Sequence, residues 1–146
     1  MALPGGSWSL IVAAVTDIEA RLGKWLVAQH GVGLTEYRAI MQLAEAPERE
    51  LRITELAERV GLNQSSATRL VGRLESKDLA FRDTCPDDGR GVYAVITDKG
   101  VSLVQDLSES YTEKLTDLLN AYTKHGSGPD SQAIRSAFHH LGDMIS

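Results

Sequence analysis

A mainly α-helical protein with one small β-hairpin is predicted by three observations on the 146-residue sequence. Apolar residues recur at helical spacing through most of the chain. The pattern becomes strand-like only around residues 79–96, where Pro, Asp and Gly separate two β-prone runs. Cap and stop residues divide the helical part into short helices in the middle and longer ones towards both ends.

The middle of the chain contains two short predicted helices joined by a tight turn. The first covers residues 53–60, and Gly61 supplies its C-terminal stop. Asn63 is a favourable N-cap for the second, which begins at Gln64. One face of this second helix is apolar, with Ala67, Leu70, Val71 and Leu74. The other face carries Ser65, Thr68, Arg69, Gly72, Arg73 and Ser76.

A helix and a brief strand are predicted before this pair of helices, and a hairpin and a long helix after it. Thr35 is expected to cap a helix before Pro47, and residues 51–53 are expected to form a brief strand. After the pair, residues 79–84 and 92–96 form the predicted hairpin, and Thr97 caps a long helix. This order is that of a winged helix-turn-helix. Sequence-specific DNA binding is therefore the leading functional hypothesis.

Heptad-like stripes at the two chain ends predict a dimerisation domain. They lie in residues 7–31 and 101–146, on either side of a winged helix-turn-helix at 34–100, within a single domain over 1–146. Part of each stripe must serve the core of the monomer, but the long helices have little else to pack on. The predicted interface residues are Ile11, Val15, Ile18, Leu115, Leu118, Tyr122, Phe138, Leu141 and Ile145.

The charge distribution is compatible with a nucleic-acid partner despite a net charge of −5. Residues 51–100 hold eight basic and eight acidic side chains, so the negative excess lies in the flanks. Phosphate affinity depends on the local patch rather than on the total. No apolar run is long enough for a membrane span, and no secretory signal is visible. The single cysteine, Cys85, is consistent with a reducing cytoplasm.

The sequence motifs resemble a known family. Residues 34–45 and 54–75, the hairpin motif Asp88-Gly89-Arg90 and the T-x-x-G run from Thr97 to Gly100 are similar to the multiple antibiotic resistance regulator (MarR) family of bacterial transcription factors. The helical ends agree with it in arrangement only. The resemblance implies a homodimer that carries two DNA-binding lobes, each with a recognition helix in the major groove. It also implies a wing arginine in the minor groove and, in many members, release of DNA on binding a small aromatic or phenolic anion.

Eight residues are predicted to contact double-stranded DNA. Arg69 is assigned to a base edge and Arg73 to a phosphate, and Gln64 can also reach a base. The resemblance gives the minor-groove role to Arg90, with Asp88 orienting it or bracing the hairpin. The remaining three, Ser65, Ser66 and Thr68, are expected either to contact phosphate or to cap the helix.

Two positions depart from the family pattern. Asp78 follows the recognition helix where glycine is common, so it must adopt a left-handed conformation. Gly72 stands where a polar residue is usual, inside a helix, where glycine costs about 1 kcal/mol relative to alanine. Either the backbone approaches DNA closely at Gly72 or the residue is tolerated there.

Other kinds of site find little support in the sequence. Trp25, His30 and Tyr37 are expected near the position of the family's ligand cleft. There they either line a ligand pocket or belong to the apolar core. The four histidines lack metal-ligand spacing, so no metal or cofactor is predicted. The sequence contains no nucleophile–base or phosphate-loop pattern, and an enzyme is not expected.

Two rival functions stay open. The first is a winged-helix protein-interaction module that does not bind DNA. The second is a thiol-based redox sensor that uses Cys85. Basic neighbours lower the pKa of a reactive thiol, and here Arg82 and Arg90 are accompanied by Asp83, Asp87 and Asp88.

Overall fold

A computed structural model describes residues 5–84 and 91–124, together with Ser136. The helices in these ranges are α1 (Gly5–His30), α2 (Leu34–Glu45), α3 (Ile53–Val60), α4 (Gln64–Ser76) and α5 (Asp98–Lys124). The strands are β1 (Glu50–Arg52), β2 (Ala80–Thr84) and β3 (Val92–Ile96), and a 3-10 turn, Pro47–Arg49, precedes β1. The predicted fold class, mainly helical with a small sheet, is confirmed.

The chain divides into two compact units. One is Gln29–Glu109, which contains α2, α3, α4 and the sheet and is called the lobe below. The other combines Met1–Ala28 with Ser110–Ser146 and is called the helical unit. The unit boundaries fall inside α1 and α5, whereas the predicted domain boundaries at 31, 34 and 100 stay a prediction.

Helix α2 begins two residues earlier than a cap at Thr35 predicts, and its cap is different. Gly33, rather than Thr35, is the N-cap residue and has extended backbone angles. A glycine has no side chain to accept a hydrogen bond, so the cap depends on Glu36 at the third helical position. The Gly33 amide donates to Oε2 of Glu36 at 3.0 Å. The prediction was wrong because the carboxylate, not the threonine hydroxyl, takes the capping role.

The helix-turn-helix has the cap and stop residues that the sequence predicts. Gly61 ends α3 in the left-handed region with φ 72°. Asn63 then caps α4, since its side-chain oxygen accepts a hydrogen bond from the Ser66 amide at 2.8 Å. Beyond α4, Asp78 has φ 58°, the left-handed conformation expected at that position.

The three strands form one antiparallel sheet with the order β1-β3-β2. In this sheet Ala94 of the central strand lies opposite Leu51 on one side and Arg82 on the other. The predicted strand at 51–53 is displaced by one residue, because the buried Ile53 is already the first residue of α3. The hairpin strands β2 and β3 lie within the predicted ranges 79–84 and 92–96. Burial alternates along β3, whereas β2 is exposed after Ala80.

The first turn of α5, which is part of the lobe, is held by hydrogen bonds and close packing. The Gly100 amide donates to Oγ1 of Thr97 at 3.0 Å, and that hydroxyl donates to the Asp78 carbonyl at 2.6 Å. A Cβ at position 100 would collide with the Leu79 carbonyl oxygen and the Ile96 side chain. The T-x-x-G motif therefore combines a helix cap with a close approach that only glycine permits.

In the helical unit, α1 has a continuous buried face. Its buried residues are Ile11, Ala14, Ile18, Leu22 and Leu26. The hydroxyl of Tyr122 on α5 donates to Asp17 on α1 at 2.6 Å. This hydrogen bond, with help from Arg21, lowers the pKa of Asp17, and it raises the pKa of Tyr122.

Candidate nucleic-acid interface

Helix α4 presents two chemically distinct faces. Ala67, Leu70, Val71 and Leu74 are fully buried in the lobe. Burial of this apolar stripe fixes the rotation of the helix, because turning it would expose those side chains to water. The opposite, polar face is therefore held outward as a constant surface.

The predicted recognition residues of α4 lie on this outward face. Gln64, Ser65, Thr68, Arg69 and Arg73 are exposed, and Ser66 is half-buried. Two local hydrogen bonds organise them. Arg69 donates to Oγ of Ser66 at 3.3 Å, and the Thr68 hydroxyl donates to the Gln64 carbonyl at 2.9 Å. Asp88 and Arg90 of the predicted wing tip, like Cys85, lie outside the described residues.

An arginine from the wing packs across α4 beside Gly72. Arg82 on β2 donates to the Thr68 carbonyl at 2.9 Å, and its Nε lies 3.2 Å from Oε1 of Glu75. A Cβ on Gly72 would stand 3.4 Å from a guanidinium nitrogen of Arg82. That distance is an ordinary van der Waals contact, so the neighbour of Gly72 is a side chain of the same protein, which the sequence did not suggest.

A basic groove lies between the start of α4 and the base of the wing. It has a volume of about 280 Å³. Its lining residues are Arg52, Ile53, Thr54, Gln64, Thr68, Arg82, Gly91 and Val92. The Arg52 guanidinium lies 5.3 Å from the ring centre of Tyr93, a cation–π distance that restrains this arginine. Two arginines and two hydroxyls in one groove suit the phosphates of a nucleic-acid backbone.

Arg52 and Arg82 line this groove but were not among the residues predicted from the sequence to contact DNA. Arg52 lies at the end of β1 and Arg82 within β2, and the fold brings both to the groove beside α4. The only signal in the sequence was the occurrence of two arginines in the strands that flank the helix-turn-helix.

Behind the C-terminal half of α4 lies a buried carboxylate with cationic partners. Oε2 of Glu36 lies 2.7 Å from Nζ of Lys77, and Oε1 lies 3.5 Å from Nε of Arg73. Glu36, Arg73 and Lys77, with the backbone of Gly31 and Gly33, are called the Glu36 cluster below. Arg73, predicted to contact phosphate, thus already has an ionic partner within the protein.

The charged state of Glu36 is favoured inside this cluster. Burial, the largest single influence, raises the pKa of its carboxyl group. The hydrogen bonds from Lys77 and the Gly33 amide, together with the charges of Lys77 and Arg73, outweigh burial. The net result is a pKa below the usual value for glutamate.

A second cavity, of about 450 Å³, lies elsewhere in the lobe. Its lining residues are His30, Gly31, Val32, Lys77, Leu79, Lys99, Ser102, Leu103 and Asp106. Two lysines beside aliphatic side chains suit an anion with an apolar body. Of the three residues predicted near a ligand cleft, His30 lines this cavity, Tyr37 is fully buried in the core of the lobe, and Trp25 belongs to the helical unit.

The predicted interface residues differ in their exposure. Ile11 and Ile18 are buried within the chain, whereas Val15 is exposed. Leu115, Leu118 and Tyr122 are half-buried. The last three, Phe138, Leu141 and Ile145, lie outside the described residues.

The described part of the chain has neither a metal-binding cluster nor a membrane-spanning helix. There, no three His, Cys, Asp or Glu side chains gather closely enough to hold a metal ion. In the same residues, no helix has the length and apolarity needed to cross a bilayer.

The lobe, with its outward polar helix and a flanking basic groove, defines a winged helix-turn-helix protein of the DNA-binding class. Residues 30–91 match the model of the MarR family. The transcriptional regulator MhqR of Bacillus subtilis (strain 168) is 26% identical over 98 residues, which make up 67% of this chain and 66% of that protein. Over these residues the chain is similar to the MarR family of transcriptional regulators. This is not a family of enzymes, in agreement with the prediction.

Solved structures of the family share the fold over nearly the whole chain. Sco3205, a MarR family regulator from Streptomyces coelicolor crystallised in complex with DNA, is 25% identical with a TM-score of 0.77, covering 99% of this chain and 88% of that one. BpsR of Bordetella bronchiseptica, whose DNA binding is regulated by 6-hydroxynicotinic acid, is 17% identical with a TM-score of 0.69, covering 94% and 90%.

Proposed function

We propose that the protein is a transcriptional repressor that binds a pseudo-palindromic operator as a homodimer. The observation that carries this proposal is the outward face of α4, where exposed amide, hydroxyl and guanidinium groups stand on a helix fixed by its buried stripe. A helix of this kind fits the major groove. Two copies related by a twofold axis contact half-sites with centres about 10–10.5 base pairs apart.

Within each half-site some side chains of α4 contact base edges and others contact phosphates. Arg69 contacts a base edge, for which the two-pronged guanidinium is suited to guanine. Gln64, at the first turn, reaches a neighbouring base, and the hydroxyls of Ser65, Ser66 and Thr68 contact phosphates or support the helix start. Supporting this division, Arg69 is exposed and restrained by Ser66.

The wing and its base hold the DNA backbone. Arg90 enters the minor groove, with Asp88 bracing the hairpin, as the family resemblance implies. Arg52, with the hydroxyl of Thr54 nearby in the basic groove, contacts a phosphate between the two grooves. A narrow A·T-rich minor groove favours Arg90 most, because its negative potential is strongest.

A small anion with an aromatic body is the proposed effector. The cavity lined by Lys77 and Lys99 supports this proposal, since it combines cationic groups with the aliphatic Val32 and Leu103. The regulation of BpsR by 6-hydroxynicotinic acid is a precedent within the fold. An effector acts on operator occupancy only if it binds the DNA-competent and DNA-incompetent forms with different affinity.

Selection from random duplexes tests the proposal. Purified protein is incubated with a random-sequence library at physiological salt, and Arg90→Ala is treated in parallel. We expect an enriched inverted repeat, bound more weakly by the variant, with the greatest loss on A·T-rich flanks. A folded dimer that enriches no sequence would contradict the proposal and favour the protein-interaction module.

A further inference from the structure

Glu36 is the one buried charged side chain among the described residues. A carboxylate inside a folded lobe is expensive unless hydrogen bonds and opposite charges compensate for lost water. Here the compensation comes from three directions, namely the Gly33 amide at 3.0 Å, Lys77 at 2.7 Å and Arg73 at 3.5 Å. A cap for α2 requires only the first of these, so the two cations need another explanation.

Both cations belong to the end of the recognition helix. Arg73 is in its last turn, and Lys77 is its C-cap residue. Nζ of Lys77 also donates to the Gly31 carbonyl at 3.0 Å, so one ammonium group joins the end of α4 to the segment that precedes α2. Nζ of Lys99 donates to the Lys77 carbonyl at 3.0 Å and extends the connection to the first turn of α5.

The apolar stripe of α4 and the Glu36 cluster constrain different motions. Burial of Leu70 and Leu74 fixes the rotation of the helix about its axis, but apolar contacts are not directional. Short charge-assisted hydrogen bonds are directional and resist sliding and tilting of the helix end. The cluster therefore supplies the constraint that a helix needs if its side chains are to meet base edges in register.

We propose that Glu36 is a positioning residue for DNA recognition, which holds the C-terminal end of α4 through Lys77 and Arg73. The inference rests on the proposed function, because the position of α4 matters for specificity only if α4 contacts bases. Loss of the cluster weakens binding to the operator while leaving the affinity for unrelated DNA intact. Non-specific binding depends on charge near phosphates and tolerates a displaced helix.

The test compares two isosteric substitutions on one helix. Glu36→Gln keeps an acceptor for the Gly33 amide but removes the charge, and Glu45→Gln removes the same charge at an exposed position of α2. Dissociation constants are measured for the selected operator and for a random duplex of equal length. For Glu36→Gln we expect operator binding to weaken about 10-fold, the effect of one weakened base contact. Random-duplex binding should stay equal or become tighter.

The Glu45→Gln control separates an effect of the Glu36 cluster from an effect of the total charge. Glu45→Gln should change operator and random-duplex affinities by the same small factor, because it alters only the total charge. An equal change of both affinities in Glu36→Gln, or unaltered operator affinity in a folded Glu36→Gln protein, would overturn the proposal. If wild-type protein selects no operator, the proposed function fails. The coupling of Glu36 to Lys77 is then tested by thermal unfolding, which does not require DNA.

Thermal unfolding provides that separate measurement and covers the case in which Glu36→Gln does not fold. Lys77→Met leaves the buried carboxylate without its nearest cation and should lower the melting temperature. Adding Glu36→Gln to it should restore part of the loss, since the uncompensated charge is removed. If the two substitutions act additively, the cluster does not exist as a coupled unit and the proposal is wrong. Where Glu36→Gln is unfolded, Lys77→Met replaces it in the DNA measurements, with the same expected loss of operator preference.

Discussion

The lobe and the helical unit bury their apolar side chains to different degrees. In the lobe, Tyr37, Ile40, Leu56 and Leu70 are 0% exposed, as are several other core residues. In the helical unit, Trp8 is 54%, Val12 46% and Val15 37% exposed. The lobe also leaves Phe81 and Val92 exposed, but these are separate residues on the two wing strands.

The exposed residues of α1 follow helical spacing. Trp8, Val12 and Val15 lie four and three positions apart, so they form one stripe, and the buried stripe of Ile11 and Ile18 lies beside it. A helix that is apolar on more than the face it buries in its own chain is typical of an interface. The lobe has completed its core within one chain, whereas the helical unit retains apolar surface for a partner, which we propose is a second copy.

The largest expected effect comes from breaking the helical unit's proposed interface. Leu115→Glu places a charge in the half-buried stripe of α5 and should convert dimers to monomers. Operator affinity should fall about 10²–10⁴-fold, because a monomer loses the gain from binding two linked half-sites. Analytical ultracentrifugation and operator titration measure the two effects. Thr116→Glu, on an exposed neighbour, is the control, and a dimer that survives Leu115→Glu would show that the interface is elsewhere.

The next effect concerns the core of the lobe. Leu70→Ala should lower the free energy of unfolding by about 2–5 kcal/mol, since it creates a cavity in a packed core. Val12→Ala, on the exposed stripe of α1, should instead weaken association and leave monomer stability within about 0.5 kcal/mol. Denaturant unfolding at several protein concentrations separates the two outcomes. Equal loss of monomer stability in both variants would remove the distinction between the two units.

A smaller effect is expected in the basic groove of the lobe. Arg52→Gln should reduce the slope of log affinity against log salt by about 1 for each subunit, as expected for one lost phosphate contact. Arg59→Gln is the matched control, because Arg59 pairs with Glu55 at 3.2 Å on the exposed side of α3 and does not line the groove. Fluorescence anisotropy between low and high salt gives both slopes. Identical slopes in the two variants would exclude Arg52 from the contact.

The smallest effect is the pH dependence of the Glu36 cluster. The pKa of Glu36 is lowered in the folded protein, so its carboxylate stabilises the fold above the ordinary glutamate value near 4.3 and loses this contribution as pH falls through the lowered folded value. The difference in melting temperature between wild type and Glu36→Gln should therefore shrink from pH 7 towards pH 3. A melting-temperature difference that grows on acidification would mean that folding raises the pKa of Glu36 instead of lowering it.

Much of the local structure could be predicted from the sequence. The limits of α3 and α4, the Asn63 cap, the left-handed Gly61 and Asp78 and the Thr97 cap all depend on interactions within a few residues. Such interactions leave a periodic or positional signal. The cap of α2 was predicted wrongly because Gly33 has no side chain that marks it as a cap, and the acceptor, Glu36, lies inside the helix.

The features that give the lobe its chemistry were not predictable in this way. Arg82 reaches Thr68 across 14 residues, and Lys77 reaches Glu36 across 41. A side chain on a strand has no sequence periodicity with one on a helix, so neither contact leaves a pattern. Gly72 illustrates the consequence, since the sequence suggested DNA proximity or tolerance, and the structure places Arg82 beside it.

The sequence by itself determined the class of this protein. The order of helix, turn, helix and hairpin, and the polar face of α4, follow from hydrophobic spacing and capping, which are local properties of a chain in water. Tertiary structure alone decided which charges are paired and which remain available to a partner. That outcome depends on distances between residues far apart in the chain, because an ion pair is governed by separation and burial rather than by sequence position.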